Sequence, residues 1–200
     1  MLLSDIKSRP TYGKLQTEPL AKRHIIAAEG EGFKVVEALF AGQPALLSKL
    51  TLVYTAGASA GEKPAERLRA LGPDALHLLP SVETVLVRLG GLLATATMGT
   101  RLSVTGGENF IGQAVAIGVQ YGIDPAAIAT EHRGSLARRV QCVHCKGFTA
   151  DVTVSPVTCS HCGISLLVRD HYSRRLGAFM GVSIDAEAPG DIPEPEAFSA

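Results

Sequence analysis

Four cysteines lie within 21 consecutive residues of this chain and form two C-x-x-C pairs. The pairs read Cys-Val-His-Cys and Cys-Ser-His-Cys, and thirteen residues separate them. Each C-x-x-C turn presents two thiolates on one side. A hairpin that joins two such turns can complete a tetrahedron around one metal ion, at metal–sulfur distances of about 2.3 Å. The sequence therefore predicts one metal site, formed by Cys142, Cys145, Cys159 and Cys162.

The segment between the two pairs has the pattern of a hairpin arm. Residues 148–154 alternate in β-type fashion, and Ser155-Pro156 follows as a turn, which favours a zinc ribbon over four free buried thiols. A Rieske cluster would need a histidine where Cys162 stands. We therefore expect His144 and His161 to point outward or to hydrogen-bond locally.

The identity of the metal is less constrained than its ligands, because four thiolates suit zinc or a single iron ion. Rubredoxin-like iron sites carry glycine directly after the second cysteine of each pair. Gly163 fits that pattern, but Lys146 stands at the other position. We predict Zn²⁺ in a structural role, with mononuclear iron, and hence an electron carrier, as the alternative.

Residues 21–133 alternate between short β-type runs and helical patterns. Strand-like runs fall at 24–28, 50–55, 76–79, 101–105 and 129–132. Helical patterns fall at 33–41, 64–71, 82–94 and 110–121, with one further turn at 125–128, and Ser81 is the expected N-cap of the pattern at 82–94. Strands separated by helices imply βαβ crossovers and a parallel sheet. The predicted fold class is α/β, a doubly wound parallel sheet followed by a small zinc-ribbon or rubredoxin-like β module.

Two glycines, Gly30 and Gly32, follow the first predicted strand and precede a helix, where doubly wound folds bind phosphates. The third glycine of the dinucleotide motif is absent, because Val35 occupies its position. Glu29 and Glu31 flank the turn and would repel a pyrophosphate. Two interpretations stay open, a nucleotide site or a tight strand-to-helix turn.

Charge and hydropathy argue against two classes of partner. Lys plus Arg and Asp plus Glu both number 19, whereas proteins that rely on phosphate contacts usually carry a positive excess. The most apolar stretch, residues 82–98, contains Glu83 and Arg88 and is too short for a membrane span. No secretory signal is expected in the first ten residues. We expect a cytoplasmic protein that binds neither nucleic acid nor membrane.

Changes in composition predict four segments: an N-terminal arm (1–20), an α/β domain (21–135), the four-cysteine ribbon (136–185) and a mobile acidic tail (186–200). The ribbon is expected to end in a helix, because Tyr172, Leu176, Phe179 and Met180 share a helical face. That helix would either cap the small core of the ribbon or dock on a partner.

Residues 23–133 resemble the NAD(P) domain of ferredoxin–NADP reductase-type flavoenzymes. The likeness lies in the segments RHIIAAEGEGF, LTLVYTAG, LSVTGGENFIGQAVAIGVQYGI and ATEHR. The Thr-Pro that follows the glycine turn in that family is absent here, and the Cys-Gly-Pro turn reads Thr105-Gly106-Gly107. No flavin-binding barrel is expected before residue 21. The resemblance implies the fold and adds Gly106 and Gly107 to Gly30 and Gly32 as candidate cofactor-binding positions.

Over nearly its full length the chain resembles the small accessory subunits of bacterial dimethylamine monooxygenases. The most specific part is VTCSHCG, followed by VRDHYSRRLGAFMGV. The resemblance implies a multi-subunit, NADPH-dependent haem monooxygenase that oxidises dimethylamine to methylamine and formaldehyde. It places haem on one partner subunit, and FMN with a [2Fe-2S] cluster on another.

These observations lead to three hypotheses. The first is a non-catalytic subunit that scaffolds the haem-bearing and flavin/iron–sulfur subunits of such a hetero-oligomer. The second is a rubredoxin-like iron electron carrier within the same complex. The third is a free-standing NAD(P)-binding regulator.

Overall fold

The computed structural model describes residues 8–198. These residues fall into two compact units. Residues 12–134 form an α/β unit, and residues 135–198 together with 8–11 form a β unit that contains all four cysteines. Residues 12–20 of the expected N-terminal arm thus belong to the α/β unit.

The α/β unit is built on five parallel strands. They are β1 (Arg23–Glu29), β2 (Leu50–Thr55), β3 (Ala75–Leu78), β4 (Thr100–Gly106) and β5 (Ala129–His132). Their order in the sheet is β3-β2-β1-β4-β5, and every neighbouring pair is parallel. The central strand β1 is buried from residue 24 to residue 28, as expected of a strand covered on both faces.

Five helices connect these strands. They are α1 (Gly32–Phe40), α2 (Pro44–Leu47), α3 (Pro64–Leu71), α4 (Val82–Leu93) and α5 (Glu108–Gln120), with 3₁₀ turns at Gly57–Glu62 and Pro125–Ala127. Ser81 caps α4 as predicted, because its Oγ accepts the N–H of Thr84 in a capping box. Gly72 ends α3 with a left-handed backbone, φ 68°.

The helices cover both faces of the sheet. On one face α4 and α5 pack on Ile25, Ala27 and Val104. On the other, α1, α2 and α3 pack on Ile26, Ala28 and their neighbours. This three-layer arrangement confirms the predicted doubly wound α/β fold.

The β unit consists of short strands. They are β6 (Arg138–Cys142), β7 (Phe148–Val152), β8 (Val154–Ser155), β9 (Val157–Thr158), β10 (Ser165–Ser173), β11 (Ala178–Ser183) and β12 (Glu196–Ala197). Five of them form a sheet of order β7-β6-β11-β10-β9, in which only β6 and β11 run parallel. The second half of the predicted fold class, a small β module, is also confirmed.

The helix expected at the end of this unit is wrong. Residues 171–180 belong to a hairpin of β10 and β11, and Tyr172 lies opposite Phe179 across it. The turn contains Gly177, whose φ is 58°, a left-handed value that glycine adopts without steric cost. Tyr172 and Phe179 pack in the core of the β unit, while Met180 points to the other face of the sheet.

The acidic tail, expected to be mobile throughout, forms a strand near its end. Strand β12 pairs antiparallel with β8, and the N–H of Phe198 donates to the carbonyl of Thr153. Residues 199 and 200 lie outside the described part of the chain.

Candidate functional site

The four cysteine sulfurs converge at one end of the β unit. All four Sγ atoms lie within 4.8 Å of one another. The Sγ atoms of Cys142 and Cys162 are 3.8 Å apart, and those of Cys145 and Cys159 are 3.7 Å apart. Each of these close pairs takes one cysteine from each C-x-x-C turn, so the two turns interlock.

These distances fit a tetrahedral metal site. Four sulfurs at about 2.3 Å from a central ion are separated by about 3.8 Å from one another. A disulfide would instead require sulfurs about 2.05 Å apart, and all four cysteines are free thiols. The arrangement can therefore bind one ion that accepts four thiolates, such as Zn²⁺ or a single iron ion.

The two C-x-x-C turns share one backbone pattern. In the first, the N–H of Cys142 donates to Gly147 and the N–H of Lys146 donates back to Cys142. In the second, Cys159 and Gly163 repeat these bonds, with Ile164 in the place of Gly147. Lys146 and Gly163 both adopt a left-handed backbone, with φ of 63° and 77°. Lys146 thus adopts the backbone conformation that glycine favours. The two turns have the same backbone pattern, although position 146 lacks the glycine that is typical of rubredoxin-like sites.

In the absence of a cation, the surroundings of Cys159 and Cys162 shift the pKa values of these two thiols in opposite directions. Burial tends to raise the pKa of Cys159, but hydrogen bonds from the N–H groups of Cys162 and His161 outweigh it and lower that pKa to about 6. The N–H of Ile164 tends to lower the pKa of Cys162, yet burial and the neighbouring sulfurs raise it to about 12. A bound metal ion would favour ionisation of both thiols, because it stabilises the thiolate form of every ligand.

The site lies at the edge of the small core of the β unit. Cys142 and Cys159 are buried, Cys162 is half-buried and Cys145 is exposed. Neither histidine reaches the sulfur cluster described above. His161 packs on Gly147 and its Nε2 lies 3.0 Å from the carbonyl oxygen of Phe148, a local hydrogen bond of the expected kind.

A buried arginine anchors the tail at the other end of the β unit, which the sequence did not predict. Arg138 forms an ion pair with Asp170 at 3.0 Å. Its guanidinium also lies 4.4 Å from the ring centroid of Phe179 and 4.0 Å from that of Phe198. These contacts fix the C-terminal segment by cation–π attraction. The only sequence signal was an aromatic residue near the end of an otherwise polar tail.

The four candidate glycines meet at the carboxyl ends of β1 and β4. These neighbouring strands lie where the order of the sheet reverses, the position at which open α/β sheets bind ligands. Gly30 ends the strand with φ 52°. A Cβ on Gly32 would lie 2.7 Å from the carbonyl oxygen of Thr105, so close helix–strand packing already explains this glycine.

A carboxylate of the chain itself occupies this position. Glu29 Oε2 accepts the N–H of Gly107, the residue before α5, at 3.1 Å. The same side chain crowds Gly106, where a Cβ would lie 2.9 Å from Glu29 Cβ. A helix N-terminus binds anions, and here the carboxylate of Glu29 accepts an N–H group at that end. This contact favours the structural interpretation of the glycine turn.

The segment before β1 covers the end of the neighbouring strand β5. The N–H of Gly13 donates to Thr130, and the N–H of Leu15 donates to the carboxylate of Glu131 at 2.7 Å. The ring of Tyr12 stacks on His132, with centroids 5.6 Å apart. Glu131, the glutamate of the ATEHR segment, thus binds the segment that precedes β1.

Among residues 8–198, no helix is both long enough and apolar enough to cross a membrane.

Comparisons with known proteins match both units. Residues 4–128 match the model of the family described as dimethylamine monooxygenase subunit DmmA-like, N-terminal domain, and residues 139–182 match the corresponding C-terminal domain. The chain is 31% identical, over 182 residues, to the heme-dependent oxidative N-demethylase delta subunit of Ectopseudomonas mendocina (strain ymp). That alignment covers 91% of each chain.

Solved structures give weaker matches. An intact type IV self-sufficient cytochrome P450 monooxygenase matches with a TM-score of 0.45 and 18% identity, over 84% of this chain and 27% of that one. Phthalate dioxygenase reductase matches with a TM-score of 0.43 and 10% identity, over 72% of this chain and 47% of that one. The chain spans less than half of either structure, and at these scores the likeness carries no argument about its function.

Proposed function

The chain belongs to the dimethylamine monooxygenase subunit DmmA-like family, and from this membership we propose that it is a non-catalytic subunit of a haem-dependent amine monooxygenase. The single observation that carries the proposal is the match to a demethylase delta subunit over 91% of both chains. Because the match spans both units, it applies to the α/β unit as well as to the cysteine-containing unit.

We further propose that the complex oxidises dimethylamine to methylamine and formaldehyde with electrons from NADPH. Haem, FMN and a [2Fe-2S] cluster would lie on partner subunits, and this chain would scaffold the subunits that carry them. The complex is proposed to be cytoplasmic, where reducing conditions keep thiolates available for metal binding.

The proposed ion at the four cysteines is Zn²⁺, held by Cys142, Cys145, Cys159 and Cys162. Zinc is redox-silent and would supply a rigid tetrahedral link between the two C-x-x-C turns. The β unit has a core of few large side chains, and small modules of this kind depend on their metal for stability. A rigid β unit suits a subunit whose role is to hold its partners in place.

Two contacts in the α/β unit support a scaffold rather than a dinucleotide-binding subunit. Glu29 occupies the N-terminal end of α5, and Leu15 binds Glu131 at the end of β5. Both contacts lie at the edge of the sheet where reductases of this fold bind their substrates. We therefore assign NADPH to a partner subunit.

Co-expression with the haem-bearing and flavin/iron–sulfur subunits of the same enzyme tests the proposal. We expect the chain to co-purify with both in a fixed ratio. We also expect complexes that lack it to lose NADPH-driven dimethylamine oxidation while each partner keeps its own cofactor spectrum. A chain that purifies alone from cells that contain both partners would contradict the proposal.

A second candidate is an electron carrier with one iron ion at the four thiolates. The exposure of Cys145 favours it, because electron transfer requires a metal site near the surface. The matching left-handed residues Lys146 and Gly163 also fit rubredoxin-like turns. A red protein with one iron ion per chain would support this candidate over the zinc-bound scaffold.

A further inference from the structure

The five-stranded sheet of the β unit has two faces of different character. One face, with Val140, Leu166 and Phe179, packs in the core. The residues that alternate with these point to the opposite face, which we call the open face. It carries half-buried apolar side chains at its centre and arginines beside them: Leu167, Met180, Val182, Arg139 and Arg169.

The strand register makes this set continuous. Leu167 lies opposite Val182, and Arg169 lies opposite Met180, on the antiparallel pair β10 and β11. Met180 is also the register partner of Gln141 on β6. Cross-strand partners share a face of the sheet and lie about 5 Å apart. Leu167, Val182 and Met180 therefore form one apolar patch that spans two strands.

The two arginines of the open face differ from Arg138 on the core face. Arg138 forms an ion pair with Asp170. Among residues 8–198, no carboxylate lies within ion-pair distance of Arg139 or Arg169. The Nε of Arg169 is buried and has no hydrogen-bond partner in that part of the chain. A buried donor without a partner is costly. Because Arg169 as a whole is only half-buried, a carboxylate that paired with the guanidinium from the solvent side would offset part of that cost.

Arg139 is held in place without an acidic partner. Its guanidinium stacks 3.6 Å from the ring centroid of Phe148, and its Nη1 donates to the carbonyl of Leu176 at 2.7 Å. Such fixed guanidinium groups lose little conformational entropy when they bind a carboxylate. The described part of the acidic tail does not supply one, because none of its carboxylates forms an ion pair with Arg139: Glu187, Asp191, Glu194 and Glu196.

We propose that the open face binds an acidic protein surface with an apolar centre, on another subunit of the complex. This inference rests on the proposed function, because it assumes a multi-subunit enzyme. Arginine and methionine are enriched in the buried centres of protein interfaces. Charge complementarity would steer the encounter, and the apolar patch would supply most of the affinity. In the helix expected from the sequence, Met180 would have shared a face with Phe179. In the hairpin it points away from Phe179, and under this proposal it contacts the partner subunit.

Binding measurements with purified subunits test the inference. The affinity of the full chain is measured for the haem-bearing subunit and, separately, for the flavin/iron–sulfur subunit, at low and at high salt. The test variants are Arg169→Glu and Met180→Glu. The matched controls are Arg69→Glu and Met98→Glu, which make the same changes at exposed positions of the α/β unit.

We expect both open-face variants to bind one of the two subunits at least about tenfold more weakly, while both controls stay within about twofold of the parent chain. The affinity of the parent chain should fall with salt, and that of Arg169→Glu should fall less steeply. Metal content and thermal unfolding are measured for every variant. If a glutamate variant fails to fold, Arg169→Gln and Met180→Thr replace the pair, with an expected loss of about threefold.

The possible outcomes separate the inference from the proposed function. A parent chain that binds neither subunit would overturn the proposed function. A parent chain that binds, with folded open-face variants that bind equally well, would overturn the inference alone. Equal losses in the open-face variants and in the α/β controls would also overturn it, because the effect would then not belong to this face.

Discussion

At the scale of single residues, Cys159 joins metal binding to folding. Its Sγ lies 3.7 Å from that of Cys145, and its N–H closes the second C-x-x-C turn by donating to Ile164. The side chain is buried in the small core of the β unit. Among residues 135–198 the buried apolar cluster has seven members, and two of them are the ligands Cys142 and Cys159, so a bound metal ion would contribute much of what holds the two turns together.

We expect Cys159→Ser to unfold the β unit and to leave the α/β unit folded. Structural zinc supplies folding free energy on the order of 10 kcal/mol in comparable peptides, and a hydroxyl is a poor substitute for a thiolate. Limited proteolysis should cut the variant within residues 135–198 and spare residues 12–134. Thr158→Ser, an exposed neighbour, serves as the control. Identical digestion patterns for Cys159→Ser and the parent chain would contradict the prediction.

A second residue-scale prediction concerns His24, which is 3% exposed in the α/β unit. Burial lowers its pKa below the ordinary 6.5, and the charge of Lys49 lowers it further. The unfolded state therefore binds the proton more tightly than the folded state does. The stabilising effect of the neutral side chain is complete above pH 6.5 and is lost as the pH falls below that value.

We accordingly expect the free energy of unfolding of the α/β unit to fall between about pH 7.5 and about pH 5.5. The fall should be larger in the parent chain than in His24→Gln, by on the order of 1 kcal/mol. Urea unfolding at the two pH values measures the difference. The same change at the exposed His171 should leave the pH dependence as it is. A His24→Gln variant with the pH dependence of the parent chain would refute this assignment.

At the scale of elements, helix α1 lies in close contact with strand β4 at Gly32. A Cβ on Gly32 would lie 2.7 Å from the carbonyl oxygen of Thr105 and 3.0 Å from its methyl group. The backbone oxygen belongs to a central strand and cannot move without disturbing the ladder. Gly91, on the exposed side of α4, has nothing within 4 Å of such a Cβ.

We expect Gly32→Ala to destabilise the α/β unit by about 1–3 kcal/mol through overpacking. Gly91→Ala should instead stabilise it by up to about 1 kcal/mol, because alanine favours a helix. Denaturant unfolding of the two variants gives both values. Equal effects at the two positions would show that the helix–strand contact at Gly32 is looser than described.

The sequence predicted the regular elements of the α/β unit well and those after the cysteines poorly. Strand β2, helix α3 and the cap at Ser81 lie where expected, because apolar periodicity and glycine or proline stops agree there. The hairpin at residues 165–183 was missed. Tyr172, Leu176 and Phe179 have a spacing that suits a helix, but pairing across a turn also brings Tyr172 and Phe179 together.

The candidate site was predictable in its ligands but not in its surroundings. C-x-x-C spacing identifies the four cysteines because local turn geometry fixes each pair. The contact of Glu29 with Gly107 and that of Arg138 with Phe198 join residues far apart in sequence. Such contacts depend on how the strands are ordered, which local patterns do not specify.

At the scale of the whole molecule, the α/β unit carries its own carboxylate at the position where open α/β sheets bind ligands. Glu29 is bonded to the N–H of Gly107 at 3.1 Å, and its negative charge would oppose a phosphate. We expect the purified chain to show no saturable NADPH binding up to about 1 mM. This expectation separates the scaffold from a free-standing NAD(P)-binding regulator.

Substitution of the carboxylate tests its role. Glu29→Gln should bind NADPH or inorganic phosphate more tightly than the parent chain does, because the α5 N-terminus loses its competing charge. Glu31→Gln, at an exposed neighbouring position, should raise the affinity much less, because solvent and salt screen its charge. Calorimetric titration provides the readout. Micromolar NADPH binding by the parent chain would restore the dinucleotide interpretation and contradict the assignment of NADPH to a partner subunit.

The metal content of the purified chain tests the account most directly. Elemental analysis combined with thiol titration under denaturing conditions should find one zinc ion and four reduced cysteines per chain, in a colourless protein. One iron ion per chain and a red colour would contradict the structural role and favour the electron carrier. Cysteines joined in disulfides, with no bound metal, would contradict the metal site itself.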